Sequence, residues 1–402
     1  MKKKIVLFVS IICSICVFSQ IKSDLDFLKD ELNKRPYLFH DFKQSSLQRI
    51  LQPNISRPIT SWQINHFLKN FKEINLNAFN EDKNIFFKIK IFNGKSYIIG
   101  ISKEYNYLLE EPILEINHIS MTTIKKILQQ HFYLPHPNTV NAFIETNIGK
   151  RSLLEYLNCI NKDSLHIKTS NFDGKIPIMN NNIAIITPKK ELFIDRKKKA
   201  WFWSYGINYG QQLLVKFNQF LSAEHFQKMK DSLKITNYQY AKTYHTFIQN
   251  TYTPLKYIDL LNKIHLKFSN KRYQKLIFDL RNNTDGTSYF FREIIHHLSK
   301  IKTLKGKRKI YILVDSRLNY ASISFINHLK GAFKPIIIGE TVFGVNDNSD
   351  AFDIVELPVS KVQIRLPKQH QIPQIITPTI LVNTSFEQWK LGIDVILSKC
   401  LE

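Results

Sequence analysis

Between Lys275 and Val345 the chain alternates short apolar runs with amphipathic stretches, and that alternation restricts the fold to a sheet layered with helices. Leu276-Ile277-Phe278-Asp279-Leu280, Ile310-Tyr311-Ile312-Leu313-Val314 and Pro335-Ile336-Ile337-Ile338-Gly339 have the length and content of buried strands. Arg281-Asn282-Asn283-Thr284-Asp285-Gly286 is turn chemistry. Ser288 to Ile301 carries Phe290, Ile294, Ile295 and Leu298 at helical spacing, and the helix opened by Ala321-Ser322-Ile323-Ser324 carries Ile323, Ile326 and Leu329. Strands that alternate with helices imply right-handed crossovers and a parallel or mostly parallel sheet. Sites in such sheets lie beyond the carboxyl ends of the strands, where Asp285, Gly286 and Ser322 all fall. Amides at a helix start can hold a developing oxyanion, and a serine beside them can attack a carbonyl, given a base. The Ser322 hydroxyl is therefore expected at the rim of the sheet, facing amides from the turn near residue 285.

Three segments carry a recognisable pattern. Asp279 to Gly286 follows D-L-R-x-N-x-G-G, except that Asp285 takes the place of the first glycine. Tyr320-Ala321-Ser322-Ile323-Ser324-Phe325 follows T-A-S-A-S-E in part, with Phe325 in place of the glutamate. Gly339 to Asn346 keeps the frame of G-E-x-T-x-G-K-G but puts Val345 at the lysine position. In this order and spacing they resemble the signatures of the tail-specific, or carboxyl-terminal-processing, serine peptidases. The resemblance implies an α/β fold with a ClpP/crotonase-like core, a peptide or protein substrate and no cofactor. It implies Ser322 as nucleophile, with the backbone amides of Ile323 and of Asp285 or Gly286 as the oxyanion hole. Asp279, Arg281 and Glu340 are expected to shape loops.

The departures bear on chemistry. Valine at 345 removes the base of a serine–lysine mechanism. A second branch of the family takes a histidine from a G-D-G-H-T-like motif, and the matching stretch here, Ile74 to Asn80, has none. His296, His297 and His328, on the helices that flank the site, are the remaining candidates for the base, although histidines on such helices usually serve packing or surface. A side chain at 285 keeps the amide but sets a negative charge where an oxyanion would form. A serine at a helix start is also a common cap. Two readings stay open: an exported serine-type endopeptidase acting on extended polypeptides, and a catalytically inactive relative that binds peptides or partner proteins.

Met1 to Gln20 reads as a secretory signal peptide, with Lys2, Lys3 and Lys4 ahead of the apolar run Ile5 to Val17. The run is short for a membrane span and no later stretch is long and apolar enough for one, so the mature chain is expected in the periplasm or secreted. The lysine-rich signal ending Phe-Ser-Gln resembles those of Bacteroidetes-type bacteria. Of four cysteines, Cys159 and Cys400 lie beyond the signal, and sequence leaves open whether they pair. There is no cysteine–histidine cluster with metal spacing. The net charge of +24 arises from basic residues spread along the chain, with one tight run at Arg196-Lys197-Lys198-Lys199, which points away from nucleic acid.

In chain order, 21–80 is expected to be a helical region, with Leu25, Phe27, Leu28 and Leu32 on one face and further helices at Phe42–Leu51 and Trp62–Phe71. Residues 81–150 read as a small α+β module. In it Asn93-Gly94 turns a hairpin, Leu108-Leu109-Glu110 and Ile116-Asn117-His118 resemble the family's glycine turns, and Thr122–His131 forms a helix. This is either a PDZ-like module that binds peptide by strand addition or a scaffold hairpin and helix. Residues 151–402 form the tail-specific-protease-like domain by resemblance. Helix is expected at Asn141–Asn161, Phe220–Lys230, Thr253–Ile264 and Phe386–Leu401, a strand at Gln212–Phe217 and a hairpin at Asp353–Leu366.

Overall fold

The computed structural model describes residues 23–35, 61–68, 77–79, 87–134, 136–160, 164–177, 185–186, 200, 202–207, 211–220, 256–269, 273–283, 291–301, 309–318, 320–345, 352–368 and 373–402. The expected signal peptide, the helices expected at Phe42–Leu51 and beyond Phe220, the basic run at Arg196–Lys199, and Asp285 and Gly286 lie outside the described residues. The chain forms two units, 1–91 with 95–187 and 350–371, and 92–94 with 188–349 and 372–402.

The second unit is built on a six-stranded sheet. Its elements are β1 (Phe202–Ile207), β2 (Gln212–Phe217), α1 (Tyr257–Ser269), β3 (Lys275–Asp279), α2 (Phe291–Lys300), β4 (Lys309–Val314), α3 (Tyr320–Ala332) and β5 (Ile336–Gly339). They continue with β6 (Val342–Val345), β7 (Pro373–Ile376), β8 (Ile380–Leu381), α4 (Phe386–Lys390) and α5 (Val395–Leu401). The sheet order is β1-β2-β3-β4-β5-β8, antiparallel only at β1. The three central strands fall where the apolar runs place them, because each is continuous Ile, Leu, Val or Phe that only a strand covered on both faces can bury.

Side-chain alternation splits the sheet into two faces. Leu213, Val215, Phe217, Leu276, Phe278, Leu280, Ile312 and Val314 join residues of α1, α2 and α3 in one core. Leu214, Ile277, Tyr311, Leu313 and Ile338 pack with Ile396, Leu397 and Cys400 of α5 in the other. The period of two in each strand produces this division. Gly339, at φ +136°, passes so near Val314 that a Cβ would run into the Val314 carbonyl. The helix expected over Phe386–Leu401 is two. Gly392 turns at φ +71°, Ser385 caps α4 in a capping box, and Asp394 caps α5 through the Leu397 amide.

In the first unit lie the strands on either side of the Asn93-Gly94 turn, Phe87–Phe92 (but for Phe92 itself) and Lys95–Ser102; both turn residues have positive φ, and helix Met121–His131 follows as expected. The long helix expected over Asn141–Asn161 is broken into Pro137–Asn147 and Arg151–Tyr156. Glu145 on the first of these accepts the outward amide of Ile91 at 2.7 Å, so a helix side chain covers part of that strand's edge. Residues 23–33 are helical, with Leu25, Leu28 and Leu32 buried, and Asp24 accepts the Val359 and Ser360 amides. The hairpin Phe352–Glu356 and Gln363–Pro367 forms where the sequence puts it, but belongs to this unit. Cys159 lies in this unit's core and Cys400 in the other's; both are buried and free.

Candidate active site

The loops that carry the three motifs are laced together at the carboxyl ends of β3, β4 and β5. Asp279 closes β3, and the turn after it is held by Asn283 N–H to the Leu280 carbonyl at 3.0 Å, with Asn282 at φ +57°. The Asn282 amide donates to Asp315, just past β4, at 3.0 Å, and Arg317 reaches the Asn282 side chain. Glu340, just past β5, accepts the Ser316 amide at 3.1 Å while its own amide donates to the Val314 carbonyl. Glu340 therefore shapes a loop, as expected. It ties the third motif to the loop that feeds α3.

Ser322 lies in the first turn of α3. It shares a helix face with Phe325, Ile326 and Leu329, spaced three, four and seven residues on, and all four are fully buried. Phe325 sits where the motif has glutamate, and its ring lies 5.2–5.8 Å from those of Phe217, Phe220, Phe278 and Phe291. Because α3 runs opposite to the strands it covers, Ser322 lies one turn nearer their carboxyl ends than Phe325. β6 packs on the same turn, for a Cβ at Gly344 would strike Ile323. The sequence puts the Ser322 hydroxyl at an open rim of the sheet, and its burial departs from that expectation. Ser322 is 0 % exposed, since the first turn of α3 is covered rather than open.

The histidines are engaged elsewhere. His328 Nδ1 faces the Ser324 carbonyl at 2.8 Å and His297 Nδ1 the Glu293 carbonyl at 3.1 Å, while the His296 ring lies 6.2 Å from that of His297. His328 is six residues along α3 from Ser322, roughly 9 Å of axial rise and on a different face. Asp285 and Gly286, expected to give oxyanion amides, lie outside the described residues.

A buried ion network is the feature that sequence reading missed. Arg281 donates to Asp279 at 3.0 and 2.7 Å and to Asp394 at 2.6 and 2.9 Å. Lys216, 1 % exposed, donates to the Arg281 carbonyl and lies 3.6 Å from Asp279. Burial alone would raise the Asp279 carboxyl, but the charges of Arg281 and Lys216 and the hydrogen bonds from Arg281 outweigh it and hold the group below the usual carboxylate range. Burial likewise works against the Arg281 charge, yet Asp279 and Asp394 keep it more firmly protonated than a free guanidinium. For Lys216 burial dominates, and its amine is pushed down. The available signal was a lysine inside the otherwise apolar run Gln212–Phe217, which only an internal counter-ion can keep charged. Among the described residues, no cluster of three or more metal-ligating side chains occurs. None of their helices is long and apolar enough to cross a membrane.

No family model matches the chain, and no curated protein matches it in sequence. Solved structures do. Mature CPAF complexed with lactacystin aligns with a TM-score of 0.59 at 10 % identity, over 96 % of this chain and 98 % of that one. Mature CPAF in a second structure aligns with a TM-score of 0.56 at 10 % identity, over 94 % and 95 %. The photosystem II D1 C-terminal processing protease aligns with a TM-score of 0.39 at 10 % identity, over 90 % and 93 %. At such identity the likeness is one of fold. The chain has the α/β fold of CPAF over nearly its whole length, and the architecture expected from its three motifs is the one it adopts.

Proposed function

We propose that this chain is an exported serine-type peptidase of the tail-specific type, acting on peptide bonds of extended polypeptides through Ser322. One observation carries the reading: the three motif loops meet at one corner of the sheet, around the turn of α3 that bears Ser322. In this mechanism the Ser322 oxygen attacks the scissile carbonyl and gives up its proton to a base. The Ile323 amide, with that of Asp285 or Gly286, receives the oxyanion. Val345 cannot serve as that base, and the nitrogens of His297 and His328 that face their own helix carbonyls are not aimed at Ser322. Turnover requires both an opening of the site and a base brought to it.

A second reading is favoured by the phenylalanine cluster around Phe325 and by the burial of Ser322: a catalytically silent relative that binds peptides or partner proteins. A fluorophosphonate probe separates the two. Labelling of the wild-type chain at Ser322, lost in Ser322→Ala, supports the peptidase. Equal absence of labelling in both leaves the binding protein.

A further inference from the structure

Asn283 is fully buried at the carboxyl end of β3. Its Nδ2 donates to the Phe217 carbonyl, at the end of β2, at 3.1 Å, and its backbone amide donates to the Leu280 carbonyl at 3.0 Å. A carbonyl can only accept, so the Phe217 contact fixes which way the side-chain amide points. The other end, Oδ1, is buried with no hydrogen-bond partner among the described residues. An acceptor left unpaired inside a protein is costly, and native structures keep few of them.

The neighbourhood indicates the donor that would suit it. The charged groups of the same turn are matched: Asp279 by Arg281 and Lys216, and Asp315 by the Asn282 amide and Arg317. Oδ1 is thus a neutral acceptor with no excess negative charge beside it, suited to a neutral N–H rather than a cation. It is anchored on Phe217, whose ring lies 5.8 Å from that of Phe325, one helical turn from Ser322. Both groups belong to the same end of the sheet, and both are closed off in the same structure.

We infer that Asn283 Oδ1 is a substrate-binding group, accepting one backbone N–H of an extended peptide whose scissile carbonyl reaches Ser322. The opening that uncovers Ser322 uncovers this acceptor too. The inference rests on the peptidase reading above.

The test uses the full mature chain, a peptide from casein that the wild type cleaves, and copies of that peptide N-methylated at one amide each. In wild type, one N-methylated copy should lose roughly tenfold or more in kcat/KM, the scale of one buried hydrogen bond. In Asn283→Leu, the unmodified peptide should lose a similar factor and that N-methyl copy should lose no more. A small alkyl fluorophosphonate has no peptide amide, so its labelling rate at Ser322 should change less than about threefold in the variant. If labelling falls in step with peptide cleavage, Asn283 only shapes the turn and the inference is overturned. If no N-methyl copy loses more than about threefold in wild type, it is overturned without the variant, which covers a variant that fails to fold. A wild-type chain that neither labels nor cleaves overturns the peptidase reading and this inference with it, whereas labelling with an undiminished variant overturns the inference alone.

Discussion

Replacing Arg281 by methionine should release the carboxyl-terminal helix from the sheet, and Cys400 reports on that release. The guanidinium makes four hydrogen bonds at 2.6–3.0 Å, two to Asp279 and two to Asp394. Asp394 also caps α5 through the Leu397 amide at 3.0 Å. Methionine fills much of the volume and makes none of these bonds. Asp279, 0 % exposed, keeps only Lys216 at 3.6 Å as a counter-charge among the described residues. Removing one member of a buried pair costs about 3–5 kcal/mol, most of it from stranding the other charge. Because the contact joins β3 to α5, that cost should appear first as opening of α5 rather than as loss of the whole unit. The Cys400 thiol is pushed up to about 12 by burial, so an alkylating reagent reaches it only through opening. A change of 3–5 kcal/mol should raise its native-state alkylation rate from about a hundredfold to several thousandfold. Cys159, in the core of the other unit and pushed up to about 11, is the internal control. Rates read by peptide mass spectrometry decide the matter. A rise below tenfold at Cys400, or an equal rise at Cys159, refutes the proposed role of Arg281 as the tie between β3 and α5.

The same network sets a pH dependence. Asp279 has its folded-state pKa held below the usual carboxylate value, so its contribution to stability is present above about pH 4 and lost as pH falls through the folded value. Urea unfolding between pH 2 and 6 should show this loss, and Asp279→Asn should flatten it while lowering stability at neutral pH. Phe325→Ala removes a fully buried ring from the contact with four other phenylalanines and should cost about 3–5 kcal/mol in thermal or urea unfolding. Gly339→Ala sets a side chain at φ +136° against the Val314 carbonyl and should abolish soluble expression or lower the melting temperature by more than 10 °C, by roughly the few kcal/mol such strain carries.

Local patterns in the chain were legible where they are dictated by burial. β3, β4 and β5 are runs of Ile, Leu, Val and Phe that no exposed element would carry, and Asn93-Gly94 is a turn because both residues accept positive φ. The closing stretch Phe386–Leu401 reads as one helix because its apolar spacing runs on, whereas Gly392 stops α4 and Asp394 starts α5. Pairing across long separation was illegible. Arg281 and Asp394 are 113 residues apart, and nothing in either segment names the other. The burial of Ser322 was hidden for a related reason. A serine in a first turn looks the same in sequence whether its helix end is open or covered, and the neighbours of that turn, such as β6 against Ile323, lie in other parts of the chain.

The two faces of the sheet also show which parts of the motifs can change without loss of the fold. Strand alternation puts Lys216 and Asp279 with Leu214 and Ile277, on the face that α5 covers, while Ser322 sits on α3 against the other face. The buried amine of Lys216 is therefore separated from Ser322 by the sheet itself and cannot stand in for the lysine that Val345 replaces. What the motifs retain, Asp279, Arg281 and Glu340, makes the bonds that hold the loops in place. What they lack, at 325 and 345, is the acid or base chemistry that a fold does not need. A glutamate buried among Phe217, Phe220, Phe278 and Phe291 would require a partner charge, whereas phenylalanine there adds to the core. The exchange at 325 thus trades a charge for packing on the very turn that would have to open for Ser322 to act. Activity, if the fluorophosphonate finds it, must come with a movement of α3 that separates Phe325 from those rings.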